Sequence, residues 1–178
     1  MQLIDIEKAQ YRKRLNIVIV GFILGLLALS LLFGSILIAL FSEPTMVSDA
    51  LKTEAANNFR FNLSGVILAL LACAAVLNKV KTTAFFNEIY YVWQLKQLNN
   101  LIYRKLKKLK TDMHQGNINA LIIMNFYYKS LTQVYLLDDN TLTMSTLEKD
   151  IRSLDELIAS KNLSISTDQF EPSMLKEY

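Results

Sequence analysis

Two long uncharged stretches dominate the hydrophobic pattern of the first half of the chain. They run from Leu15 to Ser42 and from Phe61 to Asn78. Neither stretch has the polar face that a soluble amphipathic helix carries along its length. At about 1.5 Å per residue, the first can cross a hydrocarbon core of about 30 Å with tilt, and the second is near the lower limit. The pattern predicts transmembrane helices over 15–42 and 61–80.

After the second stretch the pattern becomes that of amphipathic helices. Apolar residues recur at spacings of three and four over 85–113, which predicts one long helix that ends near Gly116. A second helix is predicted over 119–136, apolar around most of its circumference. A third is expected to begin at Ser145, because Ser145 and Glu148 have the spacing of a capping box.

The predicted fold class is an all-α membrane protein, with a two-helix transmembrane hairpin and a cytoplasmic bundle of about three helices. The bundle occupies 81–178 and closes with a short turn that Pro172 opens. A basic tail at 1–14 precedes the hairpin, and a short loop at 43–60 connects its two helices. The first span is too long for the apolar core of a cleavable signal peptide, so we interpret it as an uncleaved anchor.

The positions of the basic residues predict the orientation of the hairpin. The loop between the spans has only two of them, Lys52 and Arg60. Seven others flank the opposite ends of the two spans: Lys8, Arg12, Lys13, Arg14, Lys79, Lys81 and Lys96. Because positively charged flanks stay in the cytoplasm, both termini are expected there, with the loop on the periplasmic side.

Small residues within the spans suggest how helices pack. Gly21 and Gly25 form a GxxxG pattern in the first span, and Gly65 and Ala69 lie on one side of the second. Such residues let backbones approach closely, within one chain or between copies of a homo-oligomer. The alternative is that glycine is simply common in membrane helices.

A basic run in the first cytoplasmic helix is the main candidate contact surface. Its cations are Arg104, Lys105, Lys107, Lys108 and Lys110. The simplest interpretation is a solvated face, or one paired with acidic residues such as Glu148 and Asp150 of the third helix. The second is contact with anionic lipid headgroups or a protein partner. Nucleic acid is not an expected partner, because no recognition fold accompanies the charges.

The residue types argue against familiar enzyme chemistry. One histidine and one cysteine are too few for a Cys/His zinc site, a disulfide framework or a Cys–His catalytic pair. His114 lies at a predicted helix end, and Asp138 with Asp139 has the composition of an ordinary turn. We therefore expect no catalytic residues, no metal site and no cofactor.

Several strings of the sequence are similar to those of one family. They lie at 11–13, 15–21, 58–62, 90–98, 125–128 and 137–142. On these strings the chain resembles uncharacterised inner-membrane proteins of Gram-negative bacteria, the family named domain of unknown function 3087. The resemblance implies two spans in the bacterial inner membrane, and it implies no activity.

Two functional hypotheses follow from the sequence. The first is a non-enzymatic, membrane-anchored helical scaffold or adaptor whose bundle docks a protein partner or a second copy. The alternative is a small homo-oligomeric channel or transporter subunit. Neither uncharged stretch contains an ionisable residue, which counts against an ion or proton pathway.

Overall fold

The computed structural model describes residues 2–42, 50–140 and 142–178, and for residues 50–57 it describes the backbone alone. Of the described residues 83% are helical, and no β-strand occurs among them. The helices are α1 (Lys8–Phe41), α2 (Ala50–Val80), α3 (Asn87–Gln115), α4 (Ile118–Asp138) and α5 (Met144–Ser160). Two 3-10 turns follow at Thr167–Gln169 and Pro172–Glu177, and we call the second the C-terminal turn.

The chain divides into two compact units. Residues Lys13–Asn87 form the hairpin unit. Residues 2–12 together with Glu88–Tyr178 form the bundle unit. The composition of the bundle unit was not evident from the hydrophobic pattern, because both apolar helices separate its N-terminal residues from the rest of the unit in sequence.

The hairpin unit consists of two helices long and apolar enough to cross a membrane, Lys8–Phe41 and Asn58–Val80. Only 6% and 11% of their most apolar windows are buried within the chain. Large apolar side chains such as Leu31, at 71% exposure, therefore face outward. A surface of this kind is stable against hydrocarbon rather than water. The all-helical class with two long apolar helices is confirmed.

The boundary of α2 differs from the sequence-based one. Residues 50–60, which we assigned to the connecting loop, are already helical because α2 begins at Ala50. This segment contains Ala, Leu, Lys and Glu, which are all strong helix formers. A prediction based only on runs of apolar residues does not detect a helix of this composition. The other part of the predicted loop, 43–49, lies outside the described residues.

The bundle unit has its own hydrophobic core around α4. Every residue from Ala120 to Tyr128 is buried, as expected for the central helix. The apolar stripe of α3 packs against it through Leu95, Ile102, Leu109 and Met113. Phe170 stacks on Phe126 with ring centroids 4.1 Å apart, and Leu175 of the C-terminal turn is 2% exposed. Phe170 and Leu175, which follow α5, are therefore part of the core of the bundle unit.

Local signals explain where the bundle helices end. Gly116, with φ of 86°, follows α3 as predicted. Asn117 then caps α4, its side chain accepting a hydrogen bond from the Ala120 amide. The prediction that Ser145 caps α5 is wrong: the N-cap is Thr143, without a side-chain cap bond. A capping box forms instead at Ser166, where a 3-10 turn begins.

The N-terminal residues pack on the bundle rather than extending from it. Ile6 and Tyr11 are buried. The Ile4 amide donates to the Tyr91 hydroxyl, 3.2 Å away, and that hydroxyl donates to the carbonyl of Gln2 at the same distance. Lys8 and Arg12 both pair with the Asp139 carboxylate. Over residues 2–12 the predicted basic tail is thus a segment docked on the bundle.

Candidate functional site

The basic run lies on the outer side of α3, opposite the buried stripe. Arg104, Lys107 and Lys108 are exposed, whereas Lys105 and Lys110 are half-buried at the flanks. This is the distribution that helical periodicity predicts for a helix with Ile102 and Leu109 in the core. The structure keeps all five cations on one helix but gives them three different environments.

Two of the cations hold the C-terminal turn. The Lys105 ammonium donates to the carbonyl oxygen of Leu175, 2.8 Å away, and the Lys108 ammonium donates to that of Glu177, 2.9 Å away. Lys108 also lies over the Tyr178 ring, with Nζ 5.0 Å from the centroid. Cations suit these carbonyls, because a helical turn leaves its last oxygens without internal partners. The sequence did not indicate this arrangement.

Lys110 is the cation that contacts the acidic third helix. Its Nζ lies 3.4 Å from the Asp150 carboxylate of α5. Asp150 also lies beside Tyr128, and burial together with this carboxylate raises the pKa of the Tyr128 hydroxyl. Pairing with the acidic helix therefore accounts for one of the five cations within the described residues.

Arg104 and Lys107 differ from the other three cations because, within the described ranges of the chain, their charged groups make neither an ion pair nor a hydrogen bond. Beside them a groove of about 410 Å³ runs between α3 and Tyr178. We call it the basic groove, and its lining residues are Arg104, Lys105, Lys107, Lys108, Thr111, Asp112 and Tyr178. Four cations thus surround a single concavity.

A second groove, of about 440 Å³, lies between α3 and α4. Tyr103, Tyr127 and Tyr135 contribute to its lining. Behind them Asn99 and Ser130 form a buried polar pair, with Ser130 Oγ 2.5 Å from Asn99 Oδ1. Sequence analysis missed this pair, although a signal was present: Asn99 falls on the same face of α3 as the core residues, where a polar side chain is unusual.

The interior location of Tyr127 has a consequence for pH stability. Burial, together with the nearby Tyr135, Tyr103 and Asp150, raises the pKa of the Tyr127 hydroxyl to about 12 from its usual 10.0. The folded state therefore retains this proton more strongly than the unfolded chain. The contribution of the Tyr127 hydroxyl to the free energy of unfolding is therefore fully present below pH 10 and is lost as the pH rises from about 10 towards 12.

We expect Tyr127→Phe to remove part of this alkaline loss, about 1 kcal/mol between pH 8 and pH 11. The free energy of unfolding of the full-length protein, measured by denaturant titration at pH 8 and pH 11, tests this. Tyr103→Phe, at an exposed position, is the matched control. An equal pH dependence in wild type and Tyr127→Phe would contradict the assignment.

The structure separates the two predicted small-residue pairs. Gly65 and Ala69 are buried against α1, and a Cβ atom on Gly65 would lie 2.6 Å from the Gly34 backbone nitrogen. A Cβ on Gly21 or Gly25 would meet nothing within 4 Å. The intrachain contact therefore uses Gly34, which we did not single out from the sequence, instead of the GxxxG pair.

The aspartates considered for chemistry are engaged in ion pairs. Asp138 lies 2.7 Å from the Lys96 ammonium, and Asp139 pairs with Lys8 and Arg12. Asp139 also closes α4 in a left-handed conformation with φ of 57°. Across the described residues, no group of three or more His, Cys, Asp or Glu side chains could hold a metal ion.

Comparison with known families covers nearly the whole chain. The family model described as protein of unknown function (DUF3087) matches residues 1–175. The chain belongs to the DUF3087 family. The match includes both units, so the family spans the apolar hairpin and the bundle together. No curated protein and no solved structure gives a significant match.

Proposed function

We propose that this DUF3087 protein is a non-enzymatic scaffold or adaptor of the bacterial inner membrane. In this proposal α1 and α2 cross the bilayer, and the bundle unit binds another protein in the cytoplasm. The apolar surface of the two helices, which is little buried within the chain, supports a membrane anchor. The separate, well-packed core supports a bundle that presents a stable surface.

Packing within the bundle unit supports a topology with both termini on one side. Residues 2–12 include the start of α1 and residues 88–178 follow α2, yet they form one compact unit. Its internal contacts include the pairing of Lys8 and Arg12 with Asp139. Two segments that share a core cannot lie on opposite sides of a bilayer. Together with the basic flanks of the spans, this favours a cytoplasmic location for both.

The exposed face of α3 carries the adaptor proposal. Tyr103 is 65% exposed, and Trp93 and Leu101 are also exposed on this helix. Tyrosine and tryptophan are enriched among residues that dominate protein–protein binding energy. Arg104 adjoins them in sequence. An exposed surface of this composition is typical of a protein-binding site.

Site-specific photo-crosslinking tests the adaptor proposal. A photoreactive residue at position 103 of the full-length protein, in its native membrane, is expected to give one discrete adduct. The same residue at position 149, exposed on α5, is expected to give none. An adduct of twice the 20.3 kDa chain mass would identify a second copy as the partner. Equal labelling at both positions, or none at 103, would contradict docking at α3.

The alternative, a small homo-oligomeric channel or transporter subunit, has one observation in its favour. Gly21 and Gly25 line an apolar cavity of about 330 Å³ between α1 and α2, together with Cys73 and Val76. The open space beside these glycines would admit a helix of another copy. Flux through reconstituted liposomes that is abolished by Gly21→Leu would favour this alternative over the adaptor.

A further inference from the structure

We propose that the basic groove is a binding site for a phosphate-bearing anion. It brings Arg104, Lys105, Lys107 and Lys108 to one concavity of about 410 Å³, and Asp112 is the acidic side chain in its lining. Opposite charge inside a concave surface is attracted more strongly than above a flat one, because the walls exclude part of the water. The proposal goes beyond the adaptor function and does not depend on a protein partner.

The hydrogen-bonding groups of the groove favour a ligand with several anionic oxygens. A lysine ammonium has three N–H donors, and Lys105 and Lys108 each use one of them on a backbone carbonyl. Two donors on each therefore remain. Arg104 adds a planar guanidinium, the group that best matches phosphate oxygens in pairs. The free N–H donors of these side chains therefore suit the several oxygens of a phosphate group.

The cations are also partly fixed before any ligand arrives. Lys105 and Lys108 are held by carbonyls of the C-terminal turn, and that turn is anchored by the buried Leu175. Fixing a long side chain in advance lowers the entropy lost on binding. Mutual repulsion between the neighbouring cations is then relieved by an anion. A flexible, solvated basic face has neither property.

Two sources could supply the phosphate group: the headgroup of an anionic lipid or a soluble phosphorylated molecule. Both would use the same donors, so the experiment has two arms. In the first, inorganic pyrophosphate is titrated by calorimetry into the full-length protein in phosphatidylcholine nanodiscs, at constant ionic strength. In the second, native mass spectrometry counts phosphatidic acid molecules retained from nanodiscs that contain both lipids.

The test variant combines Arg104→Gln and Lys107→Gln, both at exposed positions. The matched control combines Lys149→Gln and Arg152→Gln on α5, which removes the same charge outside the groove. Circular dichroism verifies that both variants keep the helical content of the wild type. Because the test variant removes charge-assisted hydrogen bonds to the ligand, it should weaken binding by about tenfold or more. The control should stay within about twofold.

The outcomes separate the sources and can overturn the proposal. Saturable pyrophosphate binding that only the test variant weakens supports the site with a soluble ligand. Retention of phosphatidic acid over phosphatidylcholine that only the test variant loses supports it with a lipid ligand. Equal loss in both variants would show a general charge effect and overturn the proposal. Absence of saturable binding in both arms would also overturn it.

Discussion

Replacing Gly65 with alanine is expected to destabilise the hairpin unit, although the change adds a single methyl group. The new Cβ would lie 2.6 Å from the backbone nitrogen and 2.8 Å from the Cα of Gly34, and 3.0 Å from the carbonyl oxygen of Ser30. These are backbone atoms, so no side chain can rotate away and the helices must separate. Overpacking of this kind costs about 1–3 kcal/mol. In a membrane, where close packing drives helix association, the expected effect is at the upper end.

Gly21→Ala is the matched control for this prediction. It makes the same chemical change in the other helix of the hairpin, at a position where a Cβ meets nothing within 4 Å. Thermal unfolding of the full-length protein in detergent should show a lower Tm for Gly65→Ala, by about 5 °C or more. Gly21→Ala should leave the Tm unchanged or raise it slightly, because alanine is the better helix former. Similar Tm values for the two variants would contradict the contact.

Phe126→Ala is expected to have the largest effect on the bundle unit. Phe126 is fully buried in α4 and stacks on Phe170, with the ring centroids 4.1 Å apart. Truncating a buried phenylalanine costs about 3–5 kcal/mol through lost burial and the cavity left behind. That is a large part of the 5–15 kcal/mol by which a typical domain is stable. The residues after α5 should lose their anchor first, because Phe170 would lose its stacking partner.

The single tryptophan makes this effect measurable in the intact protein. Trp93 lies in α3 of the bundle unit, so its fluorescence follows that unit alone during urea unfolding. The urea midpoint should fall strongly for Phe126→Ala. It should change little for Tyr103→Ala, because Tyr103 is 65% exposed and surface substitutions stay within about 0.5 kcal/mol. An unchanged midpoint for Phe126→Ala would contradict the described core.

Hydrophobic periodicity was sufficient for the main elements of the fold. Three elements appear as predicted: the two apolar stretches, the stripe of α3 through Leu95 and Ile102, and α4, which is apolar around most of its circumference. Boundaries were less predictable where the residues were polar. The first turns of α2, from Ala50, and the N-cap of α5 at Thr143 depend on propensity and tertiary context rather than on an apolar pattern.

The candidate site was predictable as a cluster of charges but not as a geometry. Helical spacing placed Arg104, Lys107 and Lys108 on the outer face of α3, and their exposure agrees. The environment of Lys105 and Lys108 depends on the fold of the C-terminal turn, which lies about seventy residues further along the chain. No local pattern encodes a contact over that distance, because it depends on how the core positions Leu175 and Phe170.

The same limit applies to the small residues of the spans. A GxxxG pattern identifies Gly21 and Gly25 by spacing alone, whereas close approach needs a partner surface at the same height on the facing helix. Gly65 has that partner in Gly34 and Ser30. Register between the two helices decides which glycines meet, and the sequence of one helix does not determine register.

Cysteine accessibility on both sides of the membrane tests most directly that an apolar hairpin anchors a cytoplasmic bundle. In a Cys73→Ala background the chain has no other cysteine, so single cysteines at Gln10, Ser48 and Ser153 report the N-terminal segment, the predicted loop and the bundle. A membrane-impermeant maleimide on spheroplasts is expected to label Ser48→Cys alone. The other two should react only after the membrane is disrupted. Labelling of Gln10→Cys or Ser153→Cys on intact spheroplasts would contradict the account.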